Sequence, residues 1–172
     1  MSEDLFEAVE VPAFGDRRFV FAFEDENATP DDPDVRAAIE TLLDPESTLL
    51  SDGAPHVLEY CRETLAFFRT AYPEEPPIMN LEEGADVWSH VQFGETFYVT
   101  RRERGDSEDG IYFSLECECE WEPEHGLQLV IRDGRTISKV GPYNGHVTNS
   151  GVHRDPTLAG VVYVSHNRQT RR

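Results

Sequence analysis

The segment "FSLECECEWEPEHGL", residues 113–127, brings thiol, carboxylate and imidazole groups close together in the chain. Thiolates and imidazoles are the ligands of structural zinc sites, in which paired cysteines are usually separated by two residues or more. Cys117 and Cys119 are separated by one residue, and only a sharp bend of the chain would bring His125 to them. We therefore predict no metal site on these thiols.

The neighbouring Glu124 and His125 could act as an acid/base pair, or as the centre of a metal-dependent protein with Trp121 as a wall. The alternative is a hairpin turn in which Gly126 supplies an unusual backbone conformation and His125 bonds locally. Motifs typical of serine hydrolases, zinc metalloproteases, phosphate loops and dinucleotide-binding folds are absent from the sequence. We therefore predict no catalytic residue and no cofactor. The alternative is a small enzyme or metal-dependent protein whose site is formed by Glu124 and His125.

Strict alternation across this segment predicts a β-strand, because every second side chain of a strand points to the same face. One predicted face is apolar and belongs to a core: Ile111, Phe113, Leu115, Cys117, Cys119 and Trp121. The opposite face is polar and then acidic: Tyr112, Ser114, Glu116, Glu118, Glu120 and Glu122.

The four glutamates of this ladder should repel one another unless cations lie opposite them. Arg102 on the preceding strand, or Arg132 and Lys139 later in the chain, could provide such pairing. The other interpretation is a docking face for a basic partner. We therefore predict Glu116, Glu118, Glu120 and Glu122 as partner-binding residues.

Two helices are predicted upstream of the ladder. In the first, Asp32 can cap the N-terminus, Pro33 fits the first turn, and one face carries Val35, Ala38, Ile39 and Leu42. The second is predicted to open at Pro55, with Cys61 in its buried stripe, and the proline-rich segment after Tyr72 ends it.

A third, short helix is predicted over residues 80–91, where Asn80 and Glu83 have the spacing of a capping box. An N-terminal hairpin precedes the helices, and consecutive alternating runs joined by short turns follow them. This order predicts an α+β fold in which two or three helices pack on one face of an antiparallel sheet, built from the hairpin and a C-terminal meander.

The length of 172 residues suits one domain. We predict a single α+β domain over residues 1–144 and a C-terminal extension over residues 145–172. Within the extension, "VTNSGVHRDPTLAG" is predicted to be a loop, "VVYVSH" a final strand and "NRQTRR" a mobile basic tail. The histidines of this region match no common ligand spacing.

The run "CEWEPEHGL", followed by "IRDGRTISKVG", resembles an uncharacterised bacterial domain family with a C-x-W-[D/E]-x-E-H-G-L motif. The resemblance extends from the N-terminal hairpin to about Gly141. It implies that Trp121, Glu124, His125 and Gly126 form a recurring turn. Small acidic proteins of this kind also resemble the immunity proteins that neutralise bacterial toxins.

The formal net charge of −19 opposes binding to nucleic acids and to anionic membranes, both of which require clustered cations. The N-terminal segment has no apolar signal core, and three cysteines do not suggest a disulfide framework, so we expect a cytoplasmic protein. The expected function is a non-catalytic acidic binding protein, an immunity-like inhibitor or interaction module for a basic protein partner. The sequence yields no prediction of oligomeric state.

Overall fold

The computed structural model describes residues 7–102 and 107–165 of the chain. Its strands are β1 (Val9–Glu10), β2 (Arg18–Ala22), β3 (Val91–Arg102), β4 (Gly110–Cys119), β5 (Leu127–Arg132) and β6 (Thr136–Gly141). Its α-helices are α1 (Pro33–Leu42), α2 (Leu49–Ala71) and α3 (Asn149–His153). The six strands form one sheet in sequence order, which confirms the predicted α+β fold.

The sheet is antiparallel except where β2 pairs with β3. There, Phe21 lies opposite Phe97 in a parallel register. The segment that connects these two strands contains α1 and α2. It carries the chain back along the sheet, so that β3 runs in the same direction as β2. The predicted N-terminal hairpin is confirmed by the antiparallel pairing of Val9 with Phe19. The parallel pair is not visible in the sequence.

The main core lies between the helices and one face of the sheet. Phe19, Phe21, Phe97 and Phe113 are buried there, with ring centroids 4.8 to 6.3 Å apart along the cluster. Fully burying a side chain of this size contributes about 1.5–3 kcal/mol. The apolar face predicted for β4 is confirmed, since all six of its residues from Ile111 to Trp121 are buried.

The first predicted helix start is confirmed in position, because α1 begins at Pro33 directly after Asp32. Asp32 occupies the N-cap position of α1, but its carboxylate accepts from the Thr29 amide and not from the helix. The second helix begins at Leu49, so the prediction that Pro55 opens it is wrong. Pro55 only removes the donor for the Ser51 carbonyl, and both residues are exposed, which lets the helix continue through the proline.

The predicted helix over residues 80–91 is wrong in its extent. Only Val87–His90 forms a single 3₁₀ turn, and the Asp86 carboxylate caps it by accepting from the Trp88 amide at 3.1 Å. Gly84 adopts φ +76°, which interrupts a helix starting at Asn80, so no capping box forms there.

The first part of the C-terminal segment, which begins with His146, packs against the second face of the sheet, whereas Tyr163 contacts Tyr60 of α2. The predicted loop over residues 147–160 contains α3 and a 3₁₀ turn, Pro156–Leu158. Residues 161–165 form no strand, because Val162 accepts a single sheet bond from the Val140 amide and the Asn149 side chain occupies the carbonyls of residues 161 and 162. His166 and the predicted basic tail lie outside the described residues, and the division at residue 144 stays a prediction.

This segment covers only part of the second face. The Gln128 amide donates to the His146 carbonyl at 3.1 Å, and Tyr112, Ser114, Gln128 and Lys139 are buried beneath the cover. Toward the other end of β4 the same face is open, and Glu116 and Glu118 are exposed. Among the described helices, none combines the length and apolarity that crossing a membrane requires.

Candidate functional site

The open part of the second face forms a concavity of about 700 Å³ between β3, β4 and the turn at residues 122–126. We call it the acidic concavity. Its polar lining comprises five glutamates, an imidazole, a phenol, an amide and a hydroxyl: Glu95, Glu116, Glu118, Glu122, Glu124, His125, Tyr98, Gln92 and Thr96. No lysine or arginine lies among the described residues that line it.

A bulge in β3 brings Glu95 and Thr96 into the concavity. Phe93 pairs with Cys117 and Phe97 pairs with Leu115, so β3 has two more residues than β4 between these pairs. A Cβ atom at Gly94 would overlap the Glu116 carbonyl, so the close approach of the strands requires glycine at this position. Bulges of this kind bend a strand and redirect its side chains.

The expected pairing of the ladder with cations is wrong. Glu116 lies opposite Gln128, and Glu118 lies opposite Gln92. In the described parts of the chain, no ion pair involves Glu95, Glu116 or Glu118. Within the described residues, these three carboxylates therefore have no ionic partner.

The three basic residues predicted to lie opposite the ladder are engaged elsewhere. Arg102 forms an ion pair with Glu108 at 3.2 Å, and Arg132 lies 3.8 Å from the Asp133 carboxylate. Lys139 lies opposite Val130 beneath the C-terminal segment. The register of the meander places all three toward the covered end of the sheet.

The predicted ladder separates into three environments. Glu116 and Glu118 line the open concavity. Glu120 follows the end of β4, and its carboxylate contacts the His90 ring outside the concavity. Glu122 is largely buried and accepts from the amides of Glu124 and His125 at 3.1 and 3.3 Å, so it caps the turn.

The turn itself is anchored to the core. Gly126 adopts φ +64°, its amide donates to the Glu122 carbonyl at 2.9 Å, and its carbonyl accepts from the Tyr60 hydroxyl at 2.9 Å. Trp121 is completely buried with its ring edge against Tyr60 at 5.7 Å. The prediction that Trp121 is a wall of the site is therefore wrong, because this side chain belongs to the core.

The thiols near the concavity are not available for chemistry at neutral pH. Burial raises the pKa of Cys117 and of Cys119 to about 12, so both remain protonated. Both lie in the core, whereas the His125 side chain is 61% exposed on the turn. The structure does not bring the two thiols and this imidazole together.

Sequence reasoning missed Glu95 and Tyr98. Regular alternation would place Glu95 on the core face with Phe97 and Val99, which is unfavourable for a carboxylate. A charge at such a position, directly after Gly94, is a signal for a bulge that redirects the side chain.

A protein-family model matches residues 2–147, a range that includes every strand, both long helices and the whole acidic concavity. Searches of the curated proteins and of the solved structures find no match. Since the matched range covers most of the 172 residues, the chain belongs to the family described as a domain of unknown function, DUF6985.

Proposed function

We propose that the protein is a non-catalytic binding protein whose acidic concavity engages a basic protein partner. In this proposal it is a bacterial cytoplasmic protein that acts as an immunity-like inhibitor or interaction module. The observation that carries the proposal is the grouping of five carboxylates around one open concavity without a lysine or arginine in its described lining.

The electrostatics of the concavity favour a cationic ligand. Carboxylates close to one another on a sheet repel, and a partner that places lysines or arginines between them removes this repulsion. The net charge of −19 adds a long-range field that accelerates the approach of a basic protein. Tyr98, 37% exposed in the concavity, offers an aromatic face on which a guanidinium group can stack.

Replacing Glu95, Glu116 and Glu118 together by Gln is expected to slow association with the partner about tenfold at low salt, because three unpaired charges of the concavity disappear. The measurement is capture of the partner from the native host with the tagged protein, followed by association kinetics across a salt series. The same variant should show a weaker dependence on salt than the wild type.

The matched control replaces Glu26, Glu40 and Glu46 by Gln. These three residues are exposed and do not line the concavity, so the control changes the net charge equally. Equal association rates for the two triple variants would show that total charge matters and that the concavity is not the binding site.

A second candidate function is divalent-cation binding at the turn, as a metal-dependent protein would require. One ligand atom each from Glu122, Glu124 and His125 lies within 4.8 Å of the other two. An imidazole with two carboxylates is a donor set that suits Zn²⁺. The capping role of Glu122 accounts for its position without an ion, so the basic-partner proposal is preferred.

If the turn binds metal, titration with zinc chloride followed by native mass spectrometry will show one Zn²⁺ per chain. His125→Asn is then expected to weaken this binding about tenfold or more, because it removes the nitrogen ligand. His125 is exposed and should tolerate the change, which circular dichroism verifies. Equal zinc binding by both proteins would rule out the turn as the site.

A further inference from the structure

A second depression lies beside the acidic concavity, between the C-terminal end of α2 and the turn. Its volume is about 490 Å³, and we call it the apolar groove. Its lining is mainly hydrophobic and includes Leu65, Phe68, Tyr72, Pro76, Ile78 and Met79.

The groove has unusually exposed apolar walls. Tyr72 and Ile78 are 54% and 52% exposed. Two of the five large hydrophobic side chains that are exposed in the described chain therefore lie at one site. Tyr72 stacks on Phe68 with ring centroids 6.2 Å apart, so the wall is a continuous aromatic surface. Apolar surface grouped in this way is typical of contact sites.

The segment after α2 forms the second wall of the groove. The helix ends at Ala71, and Pro73, Pro76 and Pro77 keep the following chain in an irregular path because proline supplies no amide donor. The groove therefore lies between two separate pieces of backbone, a shape that accommodates an inserted side chain.

The rim of the groove is acidic. Glu75, Glu122 and Glu124 line it, with Arg69 as the basic residue among its described lining. Glu122 and Glu124 also line the acidic concavity, as does Pro123. The turn is thus a ridge shared by the two depressions, and one ligand crossing it would contact both.

We propose that the apolar groove receives a large apolar side chain from the same basic partner segment whose cations occupy the acidic concavity. This inference rests on the proposed function and adds the chemistry of the ligand. The partner segment carries lysines or arginines next to a leucine, isoleucine or aromatic residue. The cations supply steering, and the anchor supplies burial of apolar area.

Two other occupants fit the charge less well. A second copy of this chain would bring another net charge of −19 against an acidic rim. An anionic membrane surface would meet the same repulsion. A cationic segment is the occupant that both the rim and the adjoining concavity attract.

The test uses two synthetic peptides that share a run of lysines and arginines. One carries a leucine at either end of the run, and the other has serine at those positions. Fluorescence anisotropy gives their affinities for the wild type and for a variant with Tyr72→Ser and Ile78→Ser. A Tyr143→Ser variant is the matched control, since Tyr143 is exposed and does not line the groove.

We expect the wild type and the control to bind the leucine peptide about tenfold more tightly than the serine peptide, the gain from burying one such side chain. The groove variant should lose this preference and keep its affinity for the serine peptide. Equal affinities of the wild type for both peptides would overturn the groove proposal alone. No binding of either peptide would contradict the proposed function and the groove with it.

Sedimentation velocity of the unliganded proteins tests whether a second copy of this chain occupies the groove. A wild-type dimer that the Tyr72→Ser and Ile78→Ser changes convert to a monomer would assign the groove to self-association and overturn the proposal. A monomeric wild type with a leucine preference confined to the intact groove would establish it.

Discussion

Gly126→Ala is expected to lower the free energy of unfolding by about 3 kcal/mol or more. Gly126 adopts φ +64°, a conformation that costs any residue with a Cβ atom about 1 kcal/mol or more. In addition, the new Cβ would overlap the Cys117 carbonyl oxygen, which is part of β4 and cannot move away without breaking the sheet. Chemical denaturation measured by circular dichroism gives the change.

Gly84→Ala is the matched control for this variant. Gly84 has a similar φ of +76°, but nothing lies within 4 Å of the position its Cβ would take. We expect a loss of about 1 kcal/mol there, from backbone strain alone. Equal losses at the two glycines would mean that the turn does not approach β4 as closely as the structure indicates.

The result also determines how the turn can be tested for function. A large loss at Gly126 identifies it as structural, together with the buried Trp121 and the capping carboxylate of Glu122. Glu124 and His125 are exposed on the same turn and can be changed without this penalty. Functional variants of the turn should therefore be made at these two positions.

Lys139 gives rise to the second large effect, a contribution to stability that increases between pH 7 and pH 9. Its ammonium group is buried and donates to Gln128 Oε1, Asn144 Oδ1 and the His146 carbonyl at 2.5 to 3.0 Å. Its three acceptors are uncharged, and burial lowers the pKa of Lys139 from 10.5 to about 7.

The direction of this change follows from the number of protons that the folded and unfolded states bind. Above pH 7 the folded protein releases the Lys139 proton, whereas the unfolded chain keeps it up to about pH 10. The unfolded state binds more protons in this window, so stability rises with pH, and the cost of burying the charge is greatest below pH 7. One group contributes at most about 1.4 kcal/mol per pH unit, which predicts a gain of about 2 kcal/mol by pH 9.

From about pH 8 upward the buried thiols act in the opposite direction. Burial raises the pKa of Cys61 to about 11 and that of Cys117 and Cys119 to about 12, from an unfolded value of 9.0. The unfolded chain then loses protons that the folded protein keeps, and stability falls as pH rises. The contribution of Lys139 is therefore measured as the difference between the wild type and a variant that lacks the amine but keeps the thiols.

Urea denaturation of the wild type and of Lys139→Met at pH 7, 8 and 9 provides the test. The methionine variant lacks the titrating amine but keeps the three buried thiols, so its stability should not rise with pH and should fall slightly toward pH 9. It should also be lower at pH 9 by about 2 kcal/mol, because the buried acceptors lose the two N–H donors of the neutral amine. A difference in stability between the two proteins that stays constant from pH 7 to pH 9 would show that Lys139 keeps its proton in the fold.

The sequence predicted those parts of the fold that depend on local pattern. The predicted succession of alternating runs joined by short turns is confirmed where Asp133 and Gly134, both at positive φ, connect β5 to β6. Pro55 does not mark the start of α2, because the Ser51 carbonyl that loses its helix donor to the proline is on an exposed part of the helix. The strand predicted near the C-terminus does not form in residues 161–165, where the Val162 carbonyl accepts both from the Val140 amide of β6 and from the Asn149 side chain.

The residues of the acidic concavity are predictable from the sequence only where strand alternation determines the orientation of their side chains. Glu116 and Glu118 have the exposed orientation that the period of two indicates. The position of Glu95 in the concavity depends on the bulge in β3, which breaks the period of two, so β4 alone does not predict the lining of the concavity. The burial of Lys139 depends on a segment that follows β6 and returns to the sheet, and strand alternation gives no signal for such a contact.

The parallel pairing of β2 with β3 has a consequence for the order of folding. The strands from β3 to β6 join through short connections and can pair as soon as each hairpin closes. The β1–β2 hairpin reaches its place beside β3 only across the whole length of α1 and α2, which imposes a much larger entropy of loop closure. The meander that carries the acidic face is therefore expected to assemble early, and the N-terminal hairpin to complete the edge of the sheet last.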